Sequence, residues 1–479
     1  MPRLSFVIDA RWSALVILCT GMLMIVLDNT VVNVALSSIQ HDLGFSNATL
    51  AWPVNAYLIA FGGILLLAGR LGDLIGKKRI FTIGILVFTA ASLLCGLSQT
   101  QWMLVGARFI QGLGGAMAAS VILAMIYTTF SDAHDRARAL SVFSFTASAG
   151  GSVGLLVGGV LTQALNWHWI FLVNVPIGIA TYIFARRIIP DAGGIGLQEG
   201  ADGFGASVLT LSLMLAVYAV VQVPQGGSLW QVEGCAAASV ALMVLFVIRQ
   251  ARIEKPLLPL HVFRSPNVVW SNVVQVLLVT GLFAFFFLYS LYLRRVLEYD
   301  AIRTGLAFLP VTLAIGVLSV GPSARIMQRF GPRVPLVAGL LFSAIGLAVF
   351  AVASPQAPFG TVILPGMLLI GIGLGIAFPC VMEFAMSTAT ASDAGLISGL
   401  VNTSAEVGGA LGLAVLAAVA AVRTNSALAH AHSFPAALTA GYHVAFGICT
   451  VCLVLSAVLS AFALQMPNAA TTLQVSASL

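Results

Sequence analysis

Charged residues are scarce in this sequence. Aspartate, glutamate, lysine and arginine together make up 8% of the 479 residues, whereas hydrophobic residues make up 59%. Soluble domains carry about 25% charged residues, so the composition excludes an ordinary water-soluble fold. Long polar stretches are also lacking, the longest being 189–203, 422–440 and the residues after Met466. Because none of them is long enough for an extramembrane catalytic domain, we do not expect an enzyme.

Signals for cofactors, metals and redox chemistry are equally sparse. The six cysteines lie in or beside apolar segments, which is typical of small buried residues and not of a disulfide framework. The seven histidines are scattered, and no G-x-x-x-x-G-K-[ST] sequence occurs, so ATP is not the expected energy source. We expect no cofactor and no metal. Because the basic residues are spread over short loops, nucleic acid is not an expected partner.

Apolar segments long enough to cross a bilayer, about 20 residues each, follow one another along the chain. Fourteen of them lie at 13–36, 50–69, 80–98, 102–128, 139–164, 168–188, 204–223, 231–250, 267–293, 303–325, 334–353, 360–385, 395–421 and 441–465. The sequence therefore predicts an all-α polytopic membrane protein with fourteen transmembrane helices.

The basic residues predict the orientation, because cytoplasmic loops carry an excess of lysine and arginine. With the N-terminus inside, seventeen of the 22 basic residues fall on the cytoplasmic side. Arg294, Arg295, Arg303 and Arg423 fall outside, and Arg108 lies within a helix. We expect a protein of the plasma or inner membrane with both termini in the cytoplasm.

Two loops form an internal repeat. The loop after the second helix reads GRLGDLIGKKR (69–79), and the loop after the tenth reads ARIMQRFGPRV (324–334). Aligned, Arg70 meets Arg325 and Gly76 meets Gly331. Many secondary transporters are built from such repeats around a central site. The repeat predicts a six-helix bundle at 1–190, two inserted helices at 191–262 and a second six-helix bundle at 263–479.

Several segments resemble a known family. The loop 69–79 is similar to the loop signature of the major facilitator superfamily. Its fourteen-helix drug:proton antiporter family has motifs similar to LDNTVVNVAL (27–36), RFIQGLGGA (108–116), WHWIFLVNVPIG (167–178) and GLISGLVNTSAEVGGALGLAV (395–415). The resemblance implies two six-helix bundles around a central cavity, with two extra helices between them. It also implies proton-driven export of hydrophobic, often cationic, compounds.

The sequence departs from that family at several positions, two of them in the fifth and thirteenth helices. The fifth-helix motif reads GLLVGG (154–159), with Leu155 where the family has proline. In the thirteenth helix Ala405 and Glu406 stand where Arg-Gln is common. Glu406 lies near mid-membrane and indicates a substrate preference of its own. It could attract a cationic substrate or carry a second proton, or Asn402 could satisfy it structurally.

Asp28 is the most unusual residue of the first helix, because a carboxylate at membrane depth is costly. At 1.5 Å per residue it lies about 8 Å from the outer edge of a core roughly 30 Å thick. Arg108 lies roughly 9 Å in from the same edge, so the two charges are at similar depth. They could form a static ion pair, or Asp28 could bind protons under the influence of Arg108. We predict proton coupling by Asp28, Arg108 and Glu406.

Further candidate residues come from the repeat, from the glycines and from polar positions in the helices. The repeated loops predict conformational gating, with positive-inside anchoring as the alternative. The gating residues would be Gly69, Arg70, Asp73, Gly76, Lys77, Arg325 and Gly331. A glycine stripe in the fifth helix permits close helix contact and comprises Gly150, Gly154, Gly158 and Gly159. Candidate residues of a substrate cavity are Asn33, Tyr57, Gln111 and Asn402.

Together these features favour a proton-coupled exporter of hydrophobic, cationic drugs that works by alternating access. The expected partners are a small-molecule substrate, protons and the lipid bilayer, and a monomer is expected. A dedicated exporter of one secondary metabolite or antibiotic is the alternative within transport. From a different class, a receptor or channel is less well supported, because the sequence shows neither a docking domain nor a symmetric pore-forming segment.

Overall fold

The fold was examined in a computed structural model of the chain. It describes residues 10–47, 49–130, 132–191, 193–194, 196, 202–223, 228–254, 256–258, 260–320, 322–354, 357–387, 394–430 and 433–464. Sixteen α-helices cover most of these residues, and strands are absent from the described part of the chain.

The first eight helices are α1 (Ala10–Leu43), α2 (Trp52–Ile75), α3 (Lys77–Gly96), α4 (Gln101–Thr129), α5 (Ala133–Ala164), α6 (Trp169–Leu172), α7 (Asn174–Ile188) and α8 (Gly203–Gln222). The other eight are α9 (Leu229–Arg252), α10 (Pro266–Arg295), α11 (Ala301–Val320), α12 (Pro322–Phe330), α13 (Arg333–Val352), α14 (Leu364–Met386), α15 (Ala394–Ala429) and α16 (Phe434–Phe462). Short 3₁₀ turns lie at Thr49–Ala51 and Leu260–Arg264, and a π-helical turn at Phe359–Ile363 precedes α14.

The described residues include thirteen helical segments that are long and apolar enough to cross a membrane. Helix α5 adds the shorter apolar segment Val153–Ala164. The segment Trp169–Ile188 contains both α6 and α7 and counts as one span. With α5 included, the segments match the fourteen predicted spans, and the chain is an all-α polytopic membrane protein.

The predicted span 168–188 contains a turn at Val173, between α6 and α7, within one apolar segment from Trp169 to Ile188. Helix α6 ends at Leu172 and α7 begins at Asn174. Pro176 has no N–H to donate to the carbonyl of Leu172, and its ring crowds that carbonyl.

The helices pack as two groups. In the first bundle, defined as α1–α7, α4 packs on α2 and α3, and α1 packs on α5. In the second bundle, α10–α16, α13 packs on α14 and α16, and α10 packs on α15. Between the bundles, α5 packs on α11 and α2 packs on α15. Helices α8 and α9 pack on each other, and α8 also contacts α2 and α15.

Hydrogen bonds join the two bundles at one end, called here the Leu43 end, where α1 and α10 finish. Arg294 Nη2 donates to Ser38 Oγ at 3.2 Å, and Arg295 Nη1 donates to Asn47 Oδ1 at 2.8 Å. We call these four residues the arginine clasp. It ties the end of α10 to the end of α1 and to the loop that follows α1.

Candidate functional site

Asp28 lies on α1 in the interior of the first bundle and is 0% exposed. Its carboxylate forms an ion pair with Arg108 on α4, whose Nη1 donates to Oδ2. Oδ1 accepts hydrogen bonds from Gln111 Nε2 at 2.7 Å and from Asn174 Nδ2 at 3.1 Å. The contact between Asp28 and Arg108 that similar depth suggested is therefore present. Both carboxylate oxygens have partners, contributed by α4 and α7.

Arg108 is also fully buried, and its guanidinium has partners besides Asp28. Nε donates to the carbonyl of Pro53 on α2 at 2.9 Å, and Nη1 donates to Gln111 Oε1 at 2.7 Å. The guanidinium carbon lies 4.4 Å from the ring centroid of Tyr57 and 5.6 Å from that of Phe171. Such cation–π contacts are stabilising, more so when water is excluded. Arg108 therefore connects α1, α2, α4 and α6.

Gln111 extends the network to α3. Its Nε2 also donates to Ser92 Oγ at 2.8 Å, and the Ser92 hydroxyl donates to the carbonyl of Phe88 at 2.8 Å. Arg108 Nη2, Tyr57 Oη and both side-chain polar atoms of Asn55 are buried without a hydrogen-bond partner among the described residues. A buried polar atom without a partner is costly, so the surroundings of Arg108 are polar but incompletely satisfied.

Glycines of the RFIQGLGGA segment explain how α4 reaches these partners. A β-carbon at Gly112 would overlap the carbonyl of Tyr57, and one at Gly114 would overlap the backbone of Phe88. Small residues at such positions let membrane helices approach closely. The approach to α2 places Arg108 beside the carbonyl of Pro53, and the approach to α3 places Gln111 beside Ser92.

Glu406 lies on α15 at the border of a cavity of about 310 Å³. Its Oε2 is buried and has no hydrogen-bond partner among the described residues. The alternative that Asn402 satisfies this carboxylate is not supported, because no bond between the two is found. The cavity is lined from α10, α14 and α15 by Gln275, Val279, Leu282, Phe283, Phe378, Met382, Val401, Asn402, Ala405 and Glu406.

Of the four candidate cavity residues, Asn402 lines this cavity. Tyr57 and Gln111 are buried in the network around Arg108 instead. Asn33 is 8% exposed, and its backbone carbonyl accepts a hydrogen bond from Ser290 Oγ of α10. Asn33, Tyr57 and Gln111 do not line the described cavity, and their contact with substrate stays a prediction.

The repeated loops have the same backbone feature at equivalent glycines. Gly76, between α2 and α3, has φ of 104°, and Gly331, between α12 and α13, has φ of 71°. Positive φ strains other residues but not glycine. Lys77 Nζ lies 3.3 Å from Asp73 Oδ1 within the first loop. Arg325 is an exposed residue of α12. The predicted gating role of these loops stays a prediction.

Neighbouring charges connect the first loop to the end of α7 and to the residues after it. Lys78 Nζ donates to the carbonyl of Arg186 at 3.0 Å, and Arg79 Nε lies 3.7 Å from Asp191 Oδ2. Gly69 and Arg70 lie in the last two turns of α2. The loop is therefore held against the junction between the first bundle and the segment before α8.

The glycine stripe of α5 packs on two helices. β-Carbons at Gly150, Gly154 and Gly158 would meet residues 23–31 of α1, and one at Gly159 would meet the backbone of Ala301 on α11. Helix α11 in turn lies close to α5, because a β-carbon at Gly305 of α11 would overlap the carbonyl of Leu155. The stripe therefore serves the packing of α1 on α5, and its last glycine serves the contact between the bundles.

Two residues of the Asp28 network, Ser92 and Asn174, were not predicted from the sequence. Asn174 lies within the WHWIFLVNVPIG segment, so the motif carried a signal that could have identified it. Ser92 is one serine among many in apolar helices, and its position gave no signal.

The first bundle contains a buried charge network, and the second contains a cavity. This combination is characteristic of polytopic membrane transporters. Comparison with known proteins agrees with this class. The family profile described as Major Facilitator Superfamily matches residues 18–413. The chain therefore belongs to the Major Facilitator Superfamily, a family of membrane transporters that carry small molecules.

The chain is similar to curated proteins over most of its length. The puromycin resistance protein pur8 of Streptomyces alboniger is 37% identical, over 94% of this chain and 90% of that protein. The cephamycin export protein CmcT of Amycolatopsis lactamdurans is 36% identical, over 95% and 94%. The tetracenomycin C resistance and export protein of Streptomyces glaucescens is 32% identical, over 86% and 77%.

Solved structures share the fold at low sequence identity. The POT family transporter PepTSo aligns with a TM-score of 0.68 at 15% identity, over 96% of this chain and 98% of that chain. The nucleoside transporter NupG aligns with a TM-score of 0.63 at 12% identity, over 94% and 99%. At these identities the likeness establishes the fold and not the substrate.

Proposed function

We propose that the protein exports hydrophobic, often cationic, drugs or antibiotics across the cell membrane by proton-coupled alternating access. The observation that carries this proposal is the buried Asp28–Arg108 network in a chain of this family. Relatives at 32–37% identity carry names of antibiotic resistance and export proteins. The network supplies the ionisable group inside the membrane that proton coupling requires.

In the proposed coupling step the Asp28–Arg108 ion pair is the deprotonated state. Protonation of Asp28 removes its negative charge and leaves Arg108 without a counter-ion, so the bonds that hold α1 to α4 weaken. A two-state contact of this kind can favour one global conformation over another. Glu406 is the second carboxylate of the scheme, and competition between proton and substrate couples proton entry to export.

We further propose roles for the two bundles and the repeated loops, and an orientation in the membrane. The bundles at 1–190 and 263–479 move against each other, with 191–262 as the inserted helix pair. Gly69, Arg70, Asp73, Gly76 and Lys77, with Arg325 and Gly331 in the repeated loop, act in conformational gating. Both termini are cytoplasmic, because the basic residues favour that orientation, and the transporter acts as a monomer.

Proton-gradient-driven transport of a fluorescent cation in inverted membrane vesicles tests this function. The wild type, Asp28→Asn and Glu406→Gln are compared, with Glu383→Gln as the matched control because Glu383 is exposed and does not line the cavity. We expect gradient-dependent uptake by the wild type and the control, and loss of that dependence in Asp28→Asn. Wild-type vesicles that respond to no gradient would refute proton coupling.

A dedicated exporter of a single antibiotic is the second candidate. It is favoured by the names of the relatives, each of which refers to one compound: puromycin, cephamycin or tetracenomycin C. A panel of unrelated antibiotics and dyes separates the two candidates. Resistance to many structural classes supports broad export, whereas resistance to one class supports the dedicated exporter.

A further inference from the structure

The two carboxylates of the proposed coupling scheme have different surroundings. Asp28 is 0% exposed, pairs with Arg108 and also accepts hydrogen bonds from Gln111 and Asn174. A substrate could reach it only after this network is dismantled. Glu406 is partly exposed, and its Oε2 has no partner among the described residues. Of the two carboxylates, Asp28 has its charge compensated by an ion pair, whereas the buried Oε2 of Glu406 has no hydrogen-bond partner among the described residues.

The surroundings of Glu406 match a particular ligand chemistry. The wall around it contains two aromatic rings, Phe283 and Phe378, and the thioether of Met382. Its other polar groups are the amides of Gln275 and Asn402, and the described lining includes no lysine or arginine. An apolar cavity with a few convergent polar groups is typical of small-molecule sites. Aromatic faces and an unneutralised carboxylate both attract organic cations.

Close helix packing holds this arrangement in place. A β-carbon at Gly408 would lie 3.0 Å from the backbone of Val276, and one at Gly409 would lie 2.8 Å from the Phe283 ring. The Thr280 hydroxyl donates to the carbonyl of Gly408 at 3.2 Å. The glycine pair that follows Glu406 therefore fixes α15 against α10, with Phe283 and Gln275 on the same cavity wall.

Glu406 also lies where the two bundles meet. A β-carbon at Gly62 of α2 would lie only 2.9 Å from Cβ of Glu406, so the first bundle packs against the stem of this side chain. The same residue borders a cavity of the second bundle. Movement of α2 along α15 would therefore change the surroundings of Glu406 directly.

We propose that Glu406 binds the cationic group of the substrate directly, within the cavity between α10, α14 and α15. The ligand class is a monovalent organic cation with aromatic bulk, the rings lying against Phe283 and Phe378 and the charge against the side chain of Glu406. Asp28 serves in proton coupling and does not contact the substrate. This inference rests on the proposed export function but concerns binding, which is measured without a gradient.

Equilibrium binding to the purified full-length protein tests the proposal with two probes. Methyltriphenylphosphonium and triphenylphosphine oxide share three phenyl rings, and only the first carries a charge. We expect Glu406→Gln to weaken phosphonium binding about tenfold or more, as loss of a charge-assisted contact does. Affinity for the oxide should stay within about twofold, because it has no charge to lose.

Two further variants separate a binding role from a structural one. Glu406→Asp keeps the charge and should retain the preference for the phosphonium, and Glu383→Gln should bind both probes as the wild type does. Equal losses for both probes in Glu406→Gln, or no loss for the phosphonium, would overturn the proposal, as would a wild type that binds neither. A protein that binds the phosphonium through Glu406 but shows no gradient-driven transport would refute the export mechanism and leave the cation site standing.

Discussion

At the level of single residues, the Asp28–Arg108 pair is costly to build and costly to break. Two charges in a low-dielectric interior lose their hydration, and their mutual attraction offsets that loss only when the geometry is good and further hydrogen bonds are made. Here the amides of Gln111 and Asn174 and the carbonyl of Pro53 make those additional bonds. The pair is therefore stable only as part of the whole network.

Removing one partner should have a large effect on stability. We expect Arg108→Ala to lower the free energy of unfolding by about 3–5 kcal/mol, because Asp28 is left as a buried charge without its counter-ion. Thermal unfolding in detergent measures the change. Arg303→Ala is the control, because the Arg303 side chain is 73% exposed, and it should leave the transition unchanged. The double variant Asp28→Ala with Arg108→Ala should recover part of the loss, and strictly additive losses would contradict this account.

The Asp28–Arg108 pair could be predicted from the sequence, but the polar residues that bond to it could not. Asp28 and Arg108 stood out because ionised residues are rare in apolar helices and their depths follow from helix geometry. Ser92 and Asn174 did not stand out, because polar uncharged residues are frequent in these helices. Whether such a residue faces Asp28 depends on the rotation of each helix about its axis. That rotation is decided by packing between helices distant in sequence.

At the level of helices, prolines show why spans were easier to predict than their interruptions. Pro176 follows the turn that separates α6 from α7. Pro310 and Pro379 lie inside α11 and α14, which continue through them. A proline frees one carbonyl in each case, and neighbouring helices or side chains can satisfy it in a membrane bundle. The residue type alone therefore does not distinguish a break from a continuous helix.

The glycine stripe of α5 gives a prediction with a control on the same helix. A side chain at Gly154 would overlap Thr30 and the backbone of Leu27 on α1, whereas nothing lies within 4 Å of a β-carbon at Gly151. We expect Gly154→Val to separate α5 from α1 and to lower both the yield of folded protein and the thermal unfolding temperature. Gly151→Val should change neither. Equal effects of the two substitutions would show that valine at any α5 position is harmful.

At the level of the whole molecule, the arginine clasp accounts for residues that oppose the positive-inside pattern. Arg294 and Arg295 fall on the side that most basic residues avoid, and they bond across the bundles to Ser38 and Asn47. Nearby, the backbone N–H of Ile302 on α11 donates to Gln163 Oε1 on α5 at 3.1 Å. These bonds all lie at the Leu43 end and favour the conformation in which that end is closed.

Removing the clasp should shift the conformational equilibrium. We expect Arg294→Ala with Arg295→Ala to increase the population in which the Leu43 end is open. The distance between spin labels at two exposed positions, Leu165 directly after α5 and Arg303 on α11, reports this opening. Arg423→Ala removes an exposed arginine of α15 and is the matched control. Unchanged distances in the double variant would mean that helix packing alone closes this end.

The long sequence separation within the Asp28 network has a consequence for biogenesis. Arg108 follows Asp28 by 80 residues, and Asn174 follows it by 146. At about 5–20 residues per second, the ribosome needs on the order of 4–16 s to complete the interval to Arg108. During that time α1 has no counter-ion for its carboxylate in the lipid. The Asp28–Arg108 pair therefore forms only after α4 has been synthesised, and α1 must be accommodated in the membrane without it until then.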